Sequence, residues 1–287
     1  MIYSIFTMVK KPKLLFVFDI EDERFWKDGL FAAIELLEKD FDIARLNIRP
    51  YSLENKPVQI DFNNYDFVLG WGAFDSPVDK LLQTPVVQNS NIHVGLCMAG
   101  YAPYKIQVYD ILFYEVENWS KEWLKEQNYK GKIAHAFGVN TDIFKPLLLT
   151  TTSKLWDYLT VGAFALWKRQ NLICTKNGSK MALGQIQKGN MMESLDIIGD
   201  LLVGGCGVSG QVIPEMLARF YSAANIVYLP ADLNGGGERA VLEARACGIS
   251  VEVEEDNPKL IELLNSPIYD HKYYAEKLKK GILSCIQ

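Results

Sequence analysis

Metal-ligating and redox residue types are scarce in this chain. Its 287 residues include three histidines and five cysteines. Cys97, Cys174, Cys206, Cys247 and Cys285 are odd in number, scattered and never in a C-x-x-C pair. Neither a disulfide framework nor a zinc site is suggested, and a reducing compartment is expected. Excess positive charge is also missing. Lys and Arg number 30 against 35 Asp and Glu, for a net charge of −5. That balance argues against gripping nucleic acid or anionic lipid through bulk charge, although a local basic site stays open. Residues 1–9 are apolar but short. No positive stretch precedes them, and Lys10-Lys11-Pro12-Lys13 follows. This fits neither a membrane span nor a signal peptide, so a cytoplasmic protein is expected. The basic clusters at 10–13 and 277–280 allow at most weak peripheral membrane contact. Internal repeats and low-complexity tracts are lacking.

What is present is the material of an ordinary globular protein, 49% hydrophobic and 23% charged. The length suits two domains, each able to bury a core without staples. The first half alternates strand-like and helix-like segments. Residues 13–19 (KLLFVFD) form a near-continuous apolar run, as buried parallel strands do. Residues 29–38 have helical apolar spacing. Strands are predicted at 41–47, 65–69, 94–97, 111–114 and 133–137, with a helix at 119–126. A proline followed by a Thr/Ser run, residues 145–153, reads as a linker. Strands then recur at 158–161, 195–198, 226–229 and 249–253, with helices at 214–223, 238–246 and 271–283. This pattern predicts βαβ units and two parallel sheets, one in residues 1–150 and one in 151–287, with a cleft between them. The final helix can pack back on the first domain. Residues 1–150 hold 16 basic and 20 acidic side chains and the remainder 14 and 15. The negative excess therefore lies mainly in the first half.

The sharpest motif is Asn234-Gly235-Gly236-Gly237-Glu238-Arg239-Ala240, between a predicted strand and a predicted helix. Glycines let a backbone approach a ligand, and the free N–H groups of the first helical turn attract an anion, most naturally phosphate. A plain flexible turn accounts for three glycines about as well. A second motif follows the strand that ends at Gly162, where Lys168-Arg169 stands at a predicted helix start. Cations oppose the macrodipole there, which a phosphate ligand would explain; a solvated surface pair is the alternative. Glu243 lies on the same helix as Glu238 and one turn beyond Arg239. An intrahelical ion pair explains it, and so does hydrogen bonding to the ribose of a nucleotide.

On the other side of the predicted cleft, Asp28 and Gly29 precede the first helix, and Gly100-Tyr101-Ala102-Pro103-Tyr104 follows a strand. Both are acceptor-side candidates, although ordinary turn chemistry explains them equally well. Asp19-Ile20-Glu21-Asp22 resembles a metal-binding acidic cluster but reads better as solvated loop charge. Of the histidines, His135 reads as structural, whereas His93 is placed near the acceptor cleft.

Four stretches in order resemble retaining glycosyltransferases of the GT-B fold, specifically glycosyltransferase family 4. They are residues 136–146 (AFGVNTDIFKP), 159–168, 195–200 (LDIIGD) and 224–251, which together span most of 133–253. The resemblance implies two Rossmann-like domains whose parallel sheets face a central cleft. The first would be the acceptor side and the second would bind the nucleotide sugar. It implies sugar transfer with retention from a nucleotide diphosphate sugar (UDP- or GDP-linked) to a carbohydrate, lipid-linked or other hydroxyl acceptor, with no cofactor or metal. Lys168 would stabilise the leaving diphosphate and Glu243 would hold the ribose. Gly162, Arg169, Gly235, Gly236, Gly237, Glu238, Arg239 and Ala240 would line the phosphate and sugar. The segment Ser209-Gly210-Gln211-Val212, through Gly210 and Val212, would frame the base. A front-face route, in which the leaving phosphate takes the acceptor proton, is implied. Two family residues are replaced: the first glutamate of its paired glutamates falls on Gly235, and its loop arginine on Ala163. Those losses motivate an alternative, a nucleotide-sugar-binding protein without turnover. Transfer to modified DNA bases is a third reading, which the acidic first half disfavours.

Overall fold

The computed structural model describes residues 10–25, 28–54, 56–101, 105–147 and 154–287. The expectations for residues 1–9, for Ala102-Pro103-Tyr104 and for 148–153 of the linker lie outside these residues. The first half builds a six-stranded sheet from β1 (Lys13–Phe18), β2 (Asp42–Asn47), β3 (Phe67–Gly72), β4 (His93–Met98), β5 (Ile111–Tyr114) and β6 (Lys132–His135). Its helices are α1 (Gly29–Leu37), α2 (Arg49–Leu53), α3 (Pro77–Leu82), α4 (Pro85–Gln88) and α5 (Glu117–Glu126). The second half builds a five-stranded sheet from β7 (Trp156–Val161), β8 (Lys180–Leu183), β9 (Gly207–Ser209), β10 (Ala224–Leu229) and β11 (Ser250–Val253). With it go α6 (Met191–Val203), α7 (Pro214–Ser222), α8 (Glu238–Ala246), α9 (Pro258–Asn265) and α10 (His271–Ile286).

Every strand pairing between named strands is parallel. The strand orders are β2-β1-β3-β4-β5-β6 and β11-β10-β7-β8-β9. The interior strands are apolar because both faces are covered: β1 is buried from its second residue on and β5 throughout. The edge strand β2 (DIARLN) keeps its charges in solvent. In each sheet the chain reverses its direction of winding once, at β1/β3 and at β7/β10. Crevices open outside the carboxyl ends of strands at such points.

One apolar cluster runs through both halves, from Leu14, Phe16 and Phe113 to Leu159, Val227 and Leu242. After the second sheet, α10 returns to the first. A Cβ on Gly281 would meet the Phe113 ring at 2.4 Å, and Lys279 Nζ lies 2.7 Å from Asp40. The two crossing segments run side by side, with the Val139 N–H donating to Tyr269 O at 2.9 Å. Among the described residues, no helix is long and apolar enough to cross a membrane.

One predicted strand is overturned. Residues 195–198 lie within α6, where Ser194, Ile197 and Leu201 face inward at helical spacing. The run LDII has strand-like composition, but the apolar positions continue with period 3.6 across 13 residues. The strand beside β7 is β8 instead, and the resemblance placed on LDIIGD falls on a helix. The strand β9 has only three residues, too few to show alternation. Lys168 and Arg169 do not open an α-helix either. The chain makes a 3-10 turn over Leu166–Lys168, passes through Arg169 at φ +47°, and makes another over Gln170–Thr175.

Candidate active site between the two sheets

The carboxyl ends of β7 and β10 carry two loops that are stitched together. Asp232 N–H donates to Trp167 O at 3.0 Å, and Gly235 N–H turns back to Asp232 O at 2.8 Å. A Cβ on Gly235 would lie 2.3 Å from Trp167 O, so this position excludes any side chain. Gly236 and Gly237 have φ of +64° and +111°, which other residues rarely adopt. From Gly237 the chain enters α8, whose first-turn N–H groups have no partner within the helix. Past α8, Gly248 at φ +77° ends the helix.

Lys168 lies along Gly162, its Cδ 3.4 Å from where a Cβ would stand. Its ammonium reaches the triple glycine. A Cβ on Gly236 would stand 3.3 Å from Lys168 Nζ and 3.2 Å from Glu238 Oε2. Burial holds the Lys168 ammonium below the ordinary lysine range, and the Glu238 charge partly offsets this. Arg169 is not brought into this group. Its guanidinium makes two 2.7 Å bonds to Asp256 and another of 2.7 Å to Pro230 O.

Around Lys168 lies a network of charges drawn from both halves. Lys259, 2% exposed, binds Glu238 Oε1 at 2.7 Å. Its ammonium also sits over the rings of Tyr101, at 4.9 Å, and Trp119, at 5.5 Å. Tyr101 is fixed by a 2.5 Å bond to Ser120 and by edge contacts with Trp119 and Trp123. Asp28 caps α1 through Phe31 N–H and pairs with Arg239 of α8 across the cleft. Gly29 meets the crossing segment so closely that a Cβ would lie 1.7 Å from Gly138 O; its side of the cleft is backbone packing. Arg239 Nε lies 3.9 Å from Glu243, whose other oxygen accepts from Tyr221 at 3.1 Å. Glu243 is thus turned into the protein, 5% exposed. Ala240 and Val212 pack on the core, whereas Gly210, just past β9, is exposed.

Sequence reasoning missed Glu115 and Lys259. Glu115 follows the last residue of β5, and burial and Glu238 push its carboxyl up to about 8, with Arg239 and Lys259 opposing. Burial likewise raises Glu243 to about 7, against Arg239. Burial is the largest influence on the Glu238 carboxyl and works to raise it, but Lys259, the residue's own backbone N–H and Lys168 together bring it below the usual range. A signal for Lys259 existed: a cation in the first turn of a helix begun by Asn257-Pro258 opposes the dipole, as argued for Lys168. Glu115 stands just past a strand of four buried residues, at the edge where sites collect.

These raised carboxyls fix the sign of a pH effect. A carboxyl whose folded-state pKa lies above its unfolded value stabilises the fold fully at low pH, and loses this as pH rises through the folded pKa. Melting temperature is therefore expected to fall from about pH 4.5, where the carboxyls ionise in the unfolded chain, to about pH 7 for Glu243 and about pH 8 for Glu115, and to level off above that. His135, held below its ordinary value by burial, acts in the opposite sense in the acid part of this range. Differential scanning calorimetry of the protein and of Glu115→Gln checks this, and the upper part of the decline should flatten in the variant.

One further expectation is corrected. His93 opens β4 at the amino edge of the sheet, 3.3 Å from Asp110, and so lies away from the cleft. The acidic segment at the end of β1 is held by arginines, with Asp19 3.4 Å and Glu21 3.9 Å from Arg49, and Asp22 on Arg24. His135 is structural, bridging Tyr273 at 3.0 Å and Glu115 O at 3.2 Å. Surface hollows of about 590 Å³, beside Lys10 and Asp42, and about 300 Å³, between α5 and α9, contain neither Lys168 nor the glycines. Converging charge at the switch point defines the site.

No family model matches the chain, and no curated protein is recognisably related to it. Solved structures are similar in fold. HepE of Anabaena, determined with UDP-glucose, superposes with a TM-score of 0.66 at 10% identity, covering 96% of this chain and 90% of its own. The sucrose-phosphate synthase of Thermosynechococcus elongatus gives 0.63 at 13% identity, with the same coverage. AviGT4, a glycosyltransferase of avilamycin A biosynthesis, gives 0.60 at 11%, covering 96% and 98%. Two parallel sheets of six and five strands, with their carboxyl edges turned toward each other, give this chain the GT-B fold.

Proposed function

We propose that the chain is a glycosyltransferase that uses a nucleotide diphosphate sugar and transfers with retention, without a metal. The observation that carries this reading is the Lys168 ammonium beside Gly236, at the amino end of α8 and at the β7/β10 switch point. Cleaving the sugar–phosphate bond leaves negative charge on a phosphate oxygen. Donors fixed at that oxygen supply the largest catalytic share. Lys168 and the N–H groups opening α8 have that role. In a front-face route the same phosphate oxygen accepts the acceptor's hydroxyl proton, while the new bond to the sugar forms on the face the phosphate leaves. Glu243 would hold the ribose by exchanging Tyr221 for it. Asp28 and Tyr101 would face the acceptor. That HepE, similar in fold, was determined in complex with UDP-glucose adds support.

A thermal-shift screen against UDP-, GDP- and ADP-sugars tests the reading. One donor at 100 times its dissociation constant is expected to stabilise the protein by about 2.7 kcal/mol. No response to any of the three would sink it. Ala163 and Gly235, which lack the charged groups of the resembling family, favour a second reading, binding without transfer. Nucleoside diphosphate release over time, with a panel of acceptors, separates the two.

A further inference from the structure

The reading above puts a diphosphate at the amino end of α8, and an anion of the chain itself already sits there. Glu238 opens α8, and its carboxylate accepts from its own backbone N–H. Its Oε1 lies on Lys259 at 2.7 Å, and its Oε2 stands beside Gly236, where Lys168 also arrives. A helix N-terminus and the Lys259 ammonium therefore hold one internal carboxylate, with the Lys168 ammonium close by but outside ion-pair distance. Arg239, the next cation, is engaged with Asp28 and Glu243. A second acid, Glu115, faces Glu238 from the first half. Bringing a diphosphate to this position sets like charges side by side, and the donors it needs are those that Glu238 uses.

Resting on the proposed function, we infer that Glu238 is an internal stand-in for the donor's phosphate. Nucleotide binding displaces it, and Lys259 then transfers its charge from Glu238 to the phosphate. Glu238 thereby sets donor affinity by competing with the donor. A carboxylate that served the donor by accepting sugar hydroxyls would act in the opposite sense on a sugar nucleotide, and not at all on the nucleotide alone. UDP, which has the diphosphate and no sugar, is accordingly the discriminating probe.

Isothermal titration of UDP at neutral pH into the protein, Glu238→Gln, Glu238→Gln/Lys259→Met and Lys168→Ala gives the test. Glu238→Gln keeps the size of the side chain and removes its charge. It is expected to bind UDP on the order of tenfold tighter, as suits a charge-assisted hydrogen bond gained by the phosphate. The double variant has neither buried charge, so it also serves if an unpaired Lys259 prevents Glu238→Gln from folding. It is expected to bind at least as tightly as the parent but without the tenfold gain, because Lys259 supplies that gain. Lys168→Ala is expected to bind more weakly. Unchanged or weaker binding by Glu238→Gln overturns the inference, as does a double variant that binds more weakly than the parent or keeps the whole gain. If neither the parent nor any variant takes up UDP, and GDP fares no better, the nucleotide reading itself fails.

Discussion

Lys168→Ala is expected to lower nucleoside diphosphate release by about 10²–10³-fold, the usual cost of deleting one fixed donor at a developing anion. The ammonium stands beside Gly236, and among the described residues no carboxylate lies within ion-pair distance of it. Its desolvation is therefore compensated mainly at longer range by Glu238, and a phosphate would complete it. The adjacent cation is the natural control. Arg169 is tied to Asp256 and Pro230 O, so Arg169→Ala should lower the melting temperature and leave turnover within a few-fold. Steady-state rates for the two alanine variants under saturating donor decide the matter. Equal losses from both, or none from Lys168→Ala, would show that the loop contributes nothing specific to the leaving group.

The second large effect is on stability. Arg239 lies between two buried carboxylates, Asp28 and Glu243, each 5% exposed. Arg239→Ala leaves them facing one another without their cation; because the Arg239 side chain is itself 39% exposed and water screens part of the loss, the cost is about 2–3 kcal/mol, below that of a fully buried pair. For a chain of this size that corresponds to a fall in melting temperature on the order of 5 °C. The loss should be smaller at pH 5.5 than at pH 8, because Glu243, already raised to about 7 beside Arg239, takes up a proton and removes one of the orphaned charges. Thermal melts at the two pH values check both size and sign. A loss independent of pH would mean that Arg239 contributes packing along its stem rather than charge. Because this ion pair spans α1 and α8, the same variant should loosen the two halves against each other.

Sequence alone determined the alternation that yields two parallel sheets, since buried strands such as KLLFVF and ILFY cannot be written without continuous apolar residues. It also marked the strand–glycine–helix junction ahead of Glu238, because positive φ at Gly236 and Gly237 demands glycine. It placed Lys168 as a cation in search of an anion. It failed where a run was short or ambiguous: β9 has three residues, and LDII has the composition of a strand within the period of a helix. Tertiary structure decided which charges meet. Glu115, Lys259 and Asp28 are far apart in the chain and carry no shared local pattern. They converge because parallel sheets collect their loops at carboxyl edges, and two such edges face one another. Only that convergence turned Arg169 to Asp256, left Lys168 at Gly236 and gave Glu238 a lysine. Local spacing governs backbone conformation within a few residues, whereas the pairing and burial of charge depend on neighbours brought in from across the fold.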